Sequence, residues 1–351
     1  MHSLEFLSEY GLFLAKTVTL LLALIVVIIV MVGVGQKQRR GDRGHIEVRS
    51  VNDVIEGVGQ TLKQAVLNPE ALKQELKDEK KRHKLLTKDQ KKAVKTGEVS
   101  RQRIFVLDFD GDVQASGVDQ LREEITAVLS IATSNDEVVL RLESPGGMVH
   151  SYGLAASQLS RITSKGIRLT IAVDKVAASG GYMMACIANK IIAAPFALLG
   201  SIGVVAQIPN FNRLLKSKDI DVEVLTAGEH KRTLTMFGEN TEKGRQKFLE
   251  ELEDVHTLFK DFISEHRPQV NMTEVATGEA WYGRRALTHQ LVDELKTSDE
   301  YIVDKCLTND VFQVKYIEDR SRVDQVMERF TALLTRVKSA ELLRTNEPFR
   351  F

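Results

Sequence analysis

Two glycine-rich stretches carry the residue types most suited to chemistry: "ESPGGMV" at residues 143–149 and "AASGGY" at residues 177–182. In the second, Ser179 stands between an apolar strand-like run and an apolar helix-like run, followed directly by Gly180 and Gly181. A serine at the start of a helix has neighbouring backbone N–H groups without intrahelical partners, pointing where an oxyanion would form. Glycines beside it let a substrate backbone come close. The pattern is therefore that of a nucleophile with a built-in oxyanion hole. The bland reading is a helix-capping serine with glycines chosen for packing, and "SGG" alone does not choose between them.

The elements that must position these loops are legible around them. "RIFVLDFDG", "EVVLRLES", "IRLTIAVD" and "KIIAAP" read as strands, and "VHSYGLAASQLSRITSKG" and "GGYMMACIANK" as helices. Alternation of this kind implies parallel strands with right-handed crossovers, whose chemistry sits in loops at the carboxyl ends of the strands. "EKGRQKFLEELEDVHTLFKDFISEHRP" is a long amphipathic helix stopped by Pro268, and a further helix is expected near residues 323–343.

The 351 residues are 43% hydrophobic and 27% charged, as expected of a protein with a real core. Basic and acidic residues number 48 each, which gives no reason to expect nucleic acid. Of the two cysteines, Cys186 lies in an apolar helical run and reads as a small hydrophobe, and Cys306 stands apart. No CxxC or His-x-x-x-His spacing suggests a metal, and no cofactor is expected.

Residues 17–35, "TVTLLLALIVVIIVMVGVG", form an uncharged run long enough to cross a bilayer. Glu5 and Glu9 precede it and "QKQRR" follows, unlike a cleaved signal peptide, so an uncleaved single-pass anchor is expected. Lys37, Arg39, Arg40 and Arg43 place that flank in the cytoplasm by the positive-inside rule. The stretch at about residues 176–209 is also apolar, but its glycines, Lys190, Ser179 and Ser201 make it the core of an α/β domain and not a second span. The expected organisation is an anchor segment over 1–36, a charged helical or partly disordered spacer over 37–102, a catalytic domain over 103–300 and an extension over 301–351.

In order, "LRLESPGGMV", "DKVAASGGYMMA", "LLGSIGVV" and "TAGEHKRTLTMFGENT" resemble the signal peptide peptidase A family of serine proteases, in particular its short inner-membrane type with one anchor and a charged spacer. The likeness covers about residues 106–293. It implies a fold like that of Clp protease and crotonase, a spiral of β-β-α units, and a serine–lysine dyad. Carried over, Ser179 matches the nucleophile, Lys231 the general base, and Ser201 a hydroxyl orienting that lysine. The N–H of Gly180 with that of Gly147, or next Gly146, would form the oxyanion hole. Gln290 departs from the pattern, standing where glycine is common. The resemblance also implies peptide or membrane-protein substrates, such as signal-peptide fragments, an inner-membrane location in a bacterium, and self-association into a ring, which leaves open whether the dyad is shared between subunits.

A lysine is a base only as the free amine, a form that desolvation favours. Lys175 is a second candidate, nearer to Ser179 in sequence. His150 and His230 leave a histidine relay open. A crotonase-like acyl-CoA enzyme and a non-catalytic membrane scaffold are the competing functions. The first leaves Ser179 and Lys231 without roles, and labelling by a fluorophosphonate separates both from a peptidase.

Overall fold

A computed structural model of the chain describes residues 10–21, 44–78, 80–81, 84, 101–228 and 230–318. The main compact unit runs from Ile46 to Tyr316. Its centre is a seven-stranded sheet of order β1-β10-β2-β3-β4-β6-β9. The strands are β1 (Gly44–Ser50), β2 (Arg103–Asp110), β3 (Glu137–Glu143), β4 (Arg168–Val173), β6 (Lys190–Ala193), β9 (Glu294–Leu295) and β10 (Asp310–Glu318). From β10 to β9 the pairing is parallel, with Val106 beside Val139, Val139 beside Thr170 and Thr170 beside Lys190. Parallel strands are covered on both faces, which explains why "RIFVLDF" and "EVVLRL" are apolar at nearly every position.

One face is covered by α2 (Val118–Ile131) and α3 (Val149–Thr163), which bury Leu121, Ile125, Val128, Tyr152, Ala155, Leu159 and Ile162. On the other, Tyr301 and Ile302 of α9 (Ser298–Cys306) pack against Val106, Val139, Ala172 and Ile192. A three-stranded sheet lies beside the first: β5 (Val176–Ala178) runs parallel to β7 (Leu198–Gly200), which runs antiparallel to β8 (Ala280–Tyr282). The order along the chain is thus a strand in the large sheet, a short strand in the small one, then a helix: β4, β5, α4 (Gly180–Ala185), then β6, β7, α5 (Asn212–Lys216). The long helix α6 (Glu242–His266) is capped by the Thr241 hydroxyl and ends at Arg267, before Pro268. The short helices α7 (Met272–Val275) and α8 (Gly283–Thr288) precede and follow β8.

The apolar region after Val176 is core as far as Ile202, with Met184, Ala185, Cys186, Ile191, Ile192 and Ala193 fully buried, whereas residues 205–209 are exposed. Burial pushes the Cys186 thiol up to about 12, and its Sγ donates to the Met183 carbonyl, the behaviour of a small hydrophobe.

Two stretches expected outside the catalytic domain join its sheet. β1 comes from the spacer, and α1 (Val51–Val66) follows it with no buried residue. β10 comes from the C-terminal extension and inserts between β1 and β2. The Asn52 side chain ties the two together, donating to the carbonyls of Cys306 and Asn309 and accepting from the Val311 N–H. The apolar run at 17–35 lies outside the described residues except for 17–21, which are helical together with residues 10–16. Among the described residues, no helix is long and apolar enough to cross a membrane. The helix expected near 323–343 also lies outside them.

Candidate active site

Ser179 joins β5 to α4. The parallel ladder carries β5 along β7 until the Ser179 N–H donates to the Gly200 carbonyl at 2.7 Å, and the next residue begins the helix. That abrupt reversal holds Ser179 at φ 51°, ψ −118°, a conformation that costs a residue with a Cβ roughly 1–3 kcal/mol. Its side chain makes no capping bond to α4. The capping role, which the sequence alone left open, is thus not the one this serine plays.

The glycines around it answer to close packing as well as to access. A Cβ on Gly180 would lie 2.4 Å from Cγ of Tyr152, and one on Gly181 would lie 2.6 Å from the Ser144 carbonyl oxygen. Gly146, at φ 89°, passes so near that a Cβ there would be 2.8 Å from the Gly180 nitrogen. The Gly146 N–H itself donates to the Ser144 hydroxyl at 3.1 Å and is already engaged. Gly147 lines the same cavity as Ser179 and Gly180, and Gly180 opens α4, where its N–H lacks an intrahelical acceptor.

The cavity holds about 80 Å³, and its side-chain walls are Val149, Met183, Val204, Val205, Val255 and Phe259. Such walls accept an apolar side chain and offer no counter-charge to a charged one. Val255 and Phe259 come from α6, so a helix distant in sequence closes a pocket beside Ser179.

Ser201 follows β7 as Ser179 follows β5, and the pairing of Ala178 with Gly200 makes the two serines neighbours. Ser201 also has positive φ, at 50°, and its N–H donates to the Glu279 carbonyl at 2.7 Å. Among the described residues, no hydrogen bond joins the Lys231 amine to either serine. Lys231 is exposed, in the irregular segment between α5 and α6, with its N–H on the Gly228 carbonyl. Lys175 is exposed too, and its amine is held by Glu143 at 3.0 Å, away from a base role. His150 and His230 are exposed. Gln290 takes the left-handed conformation, φ 60°, that a glycine would adopt without strain. Among the described residues, no three His, Cys, Asp or Glu side chains are grouped to hold a metal.

Sequence reasoning passed over Ser144 and Tyr152, both fully buried directly behind the glycine loop. The serine of "ESPGG" was visible as a polar residue at a strand end; nothing local marked the tyrosine.

The model described as peptidase family S49 N-terminal matches residues 5–159, and that described as peptidase family S49 matches residues 161–315. The probable protease SohB of Haemophilus influenzae is 51% identical over 316 residues, which cover 89% of this chain and 89% of the relative. The probable protease SohB of Buchnera aphidicola subsp. Acyrthosiphon pisum is 54% identical over 245 residues, 70% of this chain and 72% of the relative. That of Buchnera aphidicola subsp. Schizaphis graminum is 43% identical over 332 residues, 94% and 95% of the two chains. With two family models in tandem and such relatives matched over most of their length, the chain belongs to peptidase family S49 and is a serine peptidase.

Proposed function

We propose that the protein is a membrane-anchored endopeptidase in which Ser179 is the nucleophile, Lys231 its general base and Ser201 the hydroxyl that orients the lysine amine. The observation that carries this reading is the state of Ser179: held at φ 51° by the β5–β7 ladder, not capping its helix, and facing an apolar cavity. In the first step the Ser179 Oγ attacks the scissile carbonyl while the free amine of Lys231 takes its proton. The amides of Gly180 and Gly147 receive the developing oxyanion. The protonated lysine then returns the proton to the leaving amine, and water attacks the acyl-serine by the same route to release the acid and restore Ser179. The apolar cavity receives the side chain preceding the scissile bond, so the substrates are apolar peptide segments such as membrane-protein or signal-peptide fragments.

Lys231 must reach this site from elsewhere, and the surface around it suggests how. Val205 and Leu225 are 90% and 89% exposed, and Leu214, Ile220, Val224 and Phe237 are also uncovered. A second copy packed on this segment would bury those side chains and bring a lysine to its neighbour's serine. We read the assembly as a closed ring and the domain as a spiral of β-β-α units. The run at 17–35 serves as the inner-membrane anchor, with a cytoplasmic basic flank.

The experiment is labelling of the full-length protein with a fluorophosphonate, followed by identification of the modified residue. Modification of Ser179, lost in Ser179→Ala together with peptidase activity, is the expected result. A Ser179→Ala variant that still cleaves peptides would overturn the assignment.

A further inference from the structure

We propose that Ser144 and Tyr152 are positioning residues for the oxyanion hole: they hold the Gly146 amide inward and so leave the Gly147 N–H on the side of the substrate. The inference rests on the serine peptidase reading of Ser179 and deepens it. Ser144 is clamped by its backbone to the strand that leads into Ser179, its N–H donating to the Val176 carbonyl at 2.8 Å and its carbonyl accepting from the Ala178 N–H at 3.0 Å. Its hydroxyl lies 2.5 Å from that of Tyr152. The Tyr152 hydroxyl has one proton, and it goes to the Asp112 carbonyl at 2.7 Å. The Ser144 proton must then go to Tyr152, which leaves a Ser144 lone pair to accept the Gly146 N–H.

The result is a chain with one direction, from the Gly146 N–H through Ser144 and Tyr152 to the Asp112 carbonyl. Every donor in it is used, and each bond polarises the next. Both side chains are fully buried, where hydroxyls cost stability unless paired and an alanine–phenylalanine pair would fill nearly the same space. The fit is close on every side. The Tyr152 ring lies under Gly180, and a Cβ on Gly111 would meet the Ser144 and Tyr152 hydroxyl oxygens at 2.5 and 2.6 Å. The same two residues therefore touch both loops that supply the oxyanion amides.

The test compares a peptide boronate, whose tetrahedral serine adduct places an oxygen in the oxyanion position, with the cleaved acid product of the same sequence. Both are measured on the full-length wild type, Tyr152→Phe and Ser144→Ala, with kcat and KM on a parent peptide and a thermal melt as a check of folding. Tyr152→Phe keeps the ring and loses only the end of the chain. It should weaken boronate binding and lower kcat roughly tenfold, leaving KM and product binding within about twofold. Ser144→Ala should do more. Variants that melt as the wild type and keep its kcat and boronate affinity would overturn the inference, as would parallel loss of product and boronate binding. If Ser144→Ala does not fold, Tyr152→Phe decides alone. A wild type that forms no adduct at Ser179 sinks the peptidase reading and this inference with it, an outcome distinct from an adduct indifferent to either variant.

Discussion

Gly146 and Ser179 stand so close that a Cβ added to the glycine would lie 2.7 Å from the Cβ of the serine. The contact joins the loop after β3 to the turn after β5, and it leaves no room for adjustment because Gly146 is also at φ 89°. Gly146→Ala should therefore displace Ser179 or the loop itself. The expected outcome is a loss of fluorophosphonate labelling of roughly a hundredfold, since small misplacements of reacting groups carry penalties of that order. Near-normal labelling would mean that the loop has another conformation available.

The exposed Lys231 leads to a complementation experiment. Ser179→Ala and Lys231→Ala should each be inactive as separate preparations, because an unassisted serine hydroxyl is a poor nucleophile. Mixed and allowed to exchange subunits, they should regain a measurable share of wild-type peptidase activity if one copy's lysine serves the next copy's serine. Persistent inactivity of an exchanged mixture would place both groups of a working site in one chain.

Glu124 on α2 provides a pH prediction. Its side chain is buried, one oxygen accepts the Tyr316 N–H at 2.8 Å and the other has no partner. Burial, chiefly, with the nearby Asp108 carboxylate, pushes its pKa up to about 7 from the ordinary value of 4.5. Because the folded value is the higher one, the protonated form favours the folded state. Its contribution is fully present below pH 4.5 and is lost as pH rises through about 7. Glu124→Gln keeps an acceptor for Tyr316 without the charge. It should raise stability at pH 8 by up to about 3 kcal/mol and flatten the pH dependence of the denaturation midpoint between those two values. A variant no more stable than the wild type at pH 8 would show that the carboxylate is solvated.

Gln290 ends the turn after α8 in a left-handed conformation, with its exposed side chain contributing little. Its carbonyl accepts from Arg267, whose guanidinium also pairs with Asp293 at 2.8 Å. Gln290→Gly removes the clash of a Cβ at positive φ, a gain of about 1–2 kcal/mol, and adds backbone freedom to the unfolded chain, a loss of about 0.5–1 kcal/mol. The net expectation is a stabilisation of roughly 0.5–1 kcal/mol in urea denaturation, with activity unchanged.

How far the chain reads as a fold without coordinates depends on whether each decision is local. β2, β3, β4 and β6, the helices α3 and α6, and the glycine-flanked Ser179 were legible because hydrophobic period, turn residues and motif spacing lie within a few residues of one another. β1 and β10 escaped that reading although "HIEVRS" and "VFQVKYIE" alternate, since a short alternating run becomes a strand only when an edge is there to pair with it. That edge is β2, some 200 residues from β10. The tertiary structure alone decided that Ser179 does not cap its helix, because its φ is imposed by the β5–β7 ladder. It also engaged the Gly146 N–H, through hydroxyl groups supplied by Ser144 and by Tyr152 on the following helix. Residue type and order name the groups that can react. Which amide is free and which side chain is already bonded depends on neighbours that only folding brings within a hydrogen bond's reach.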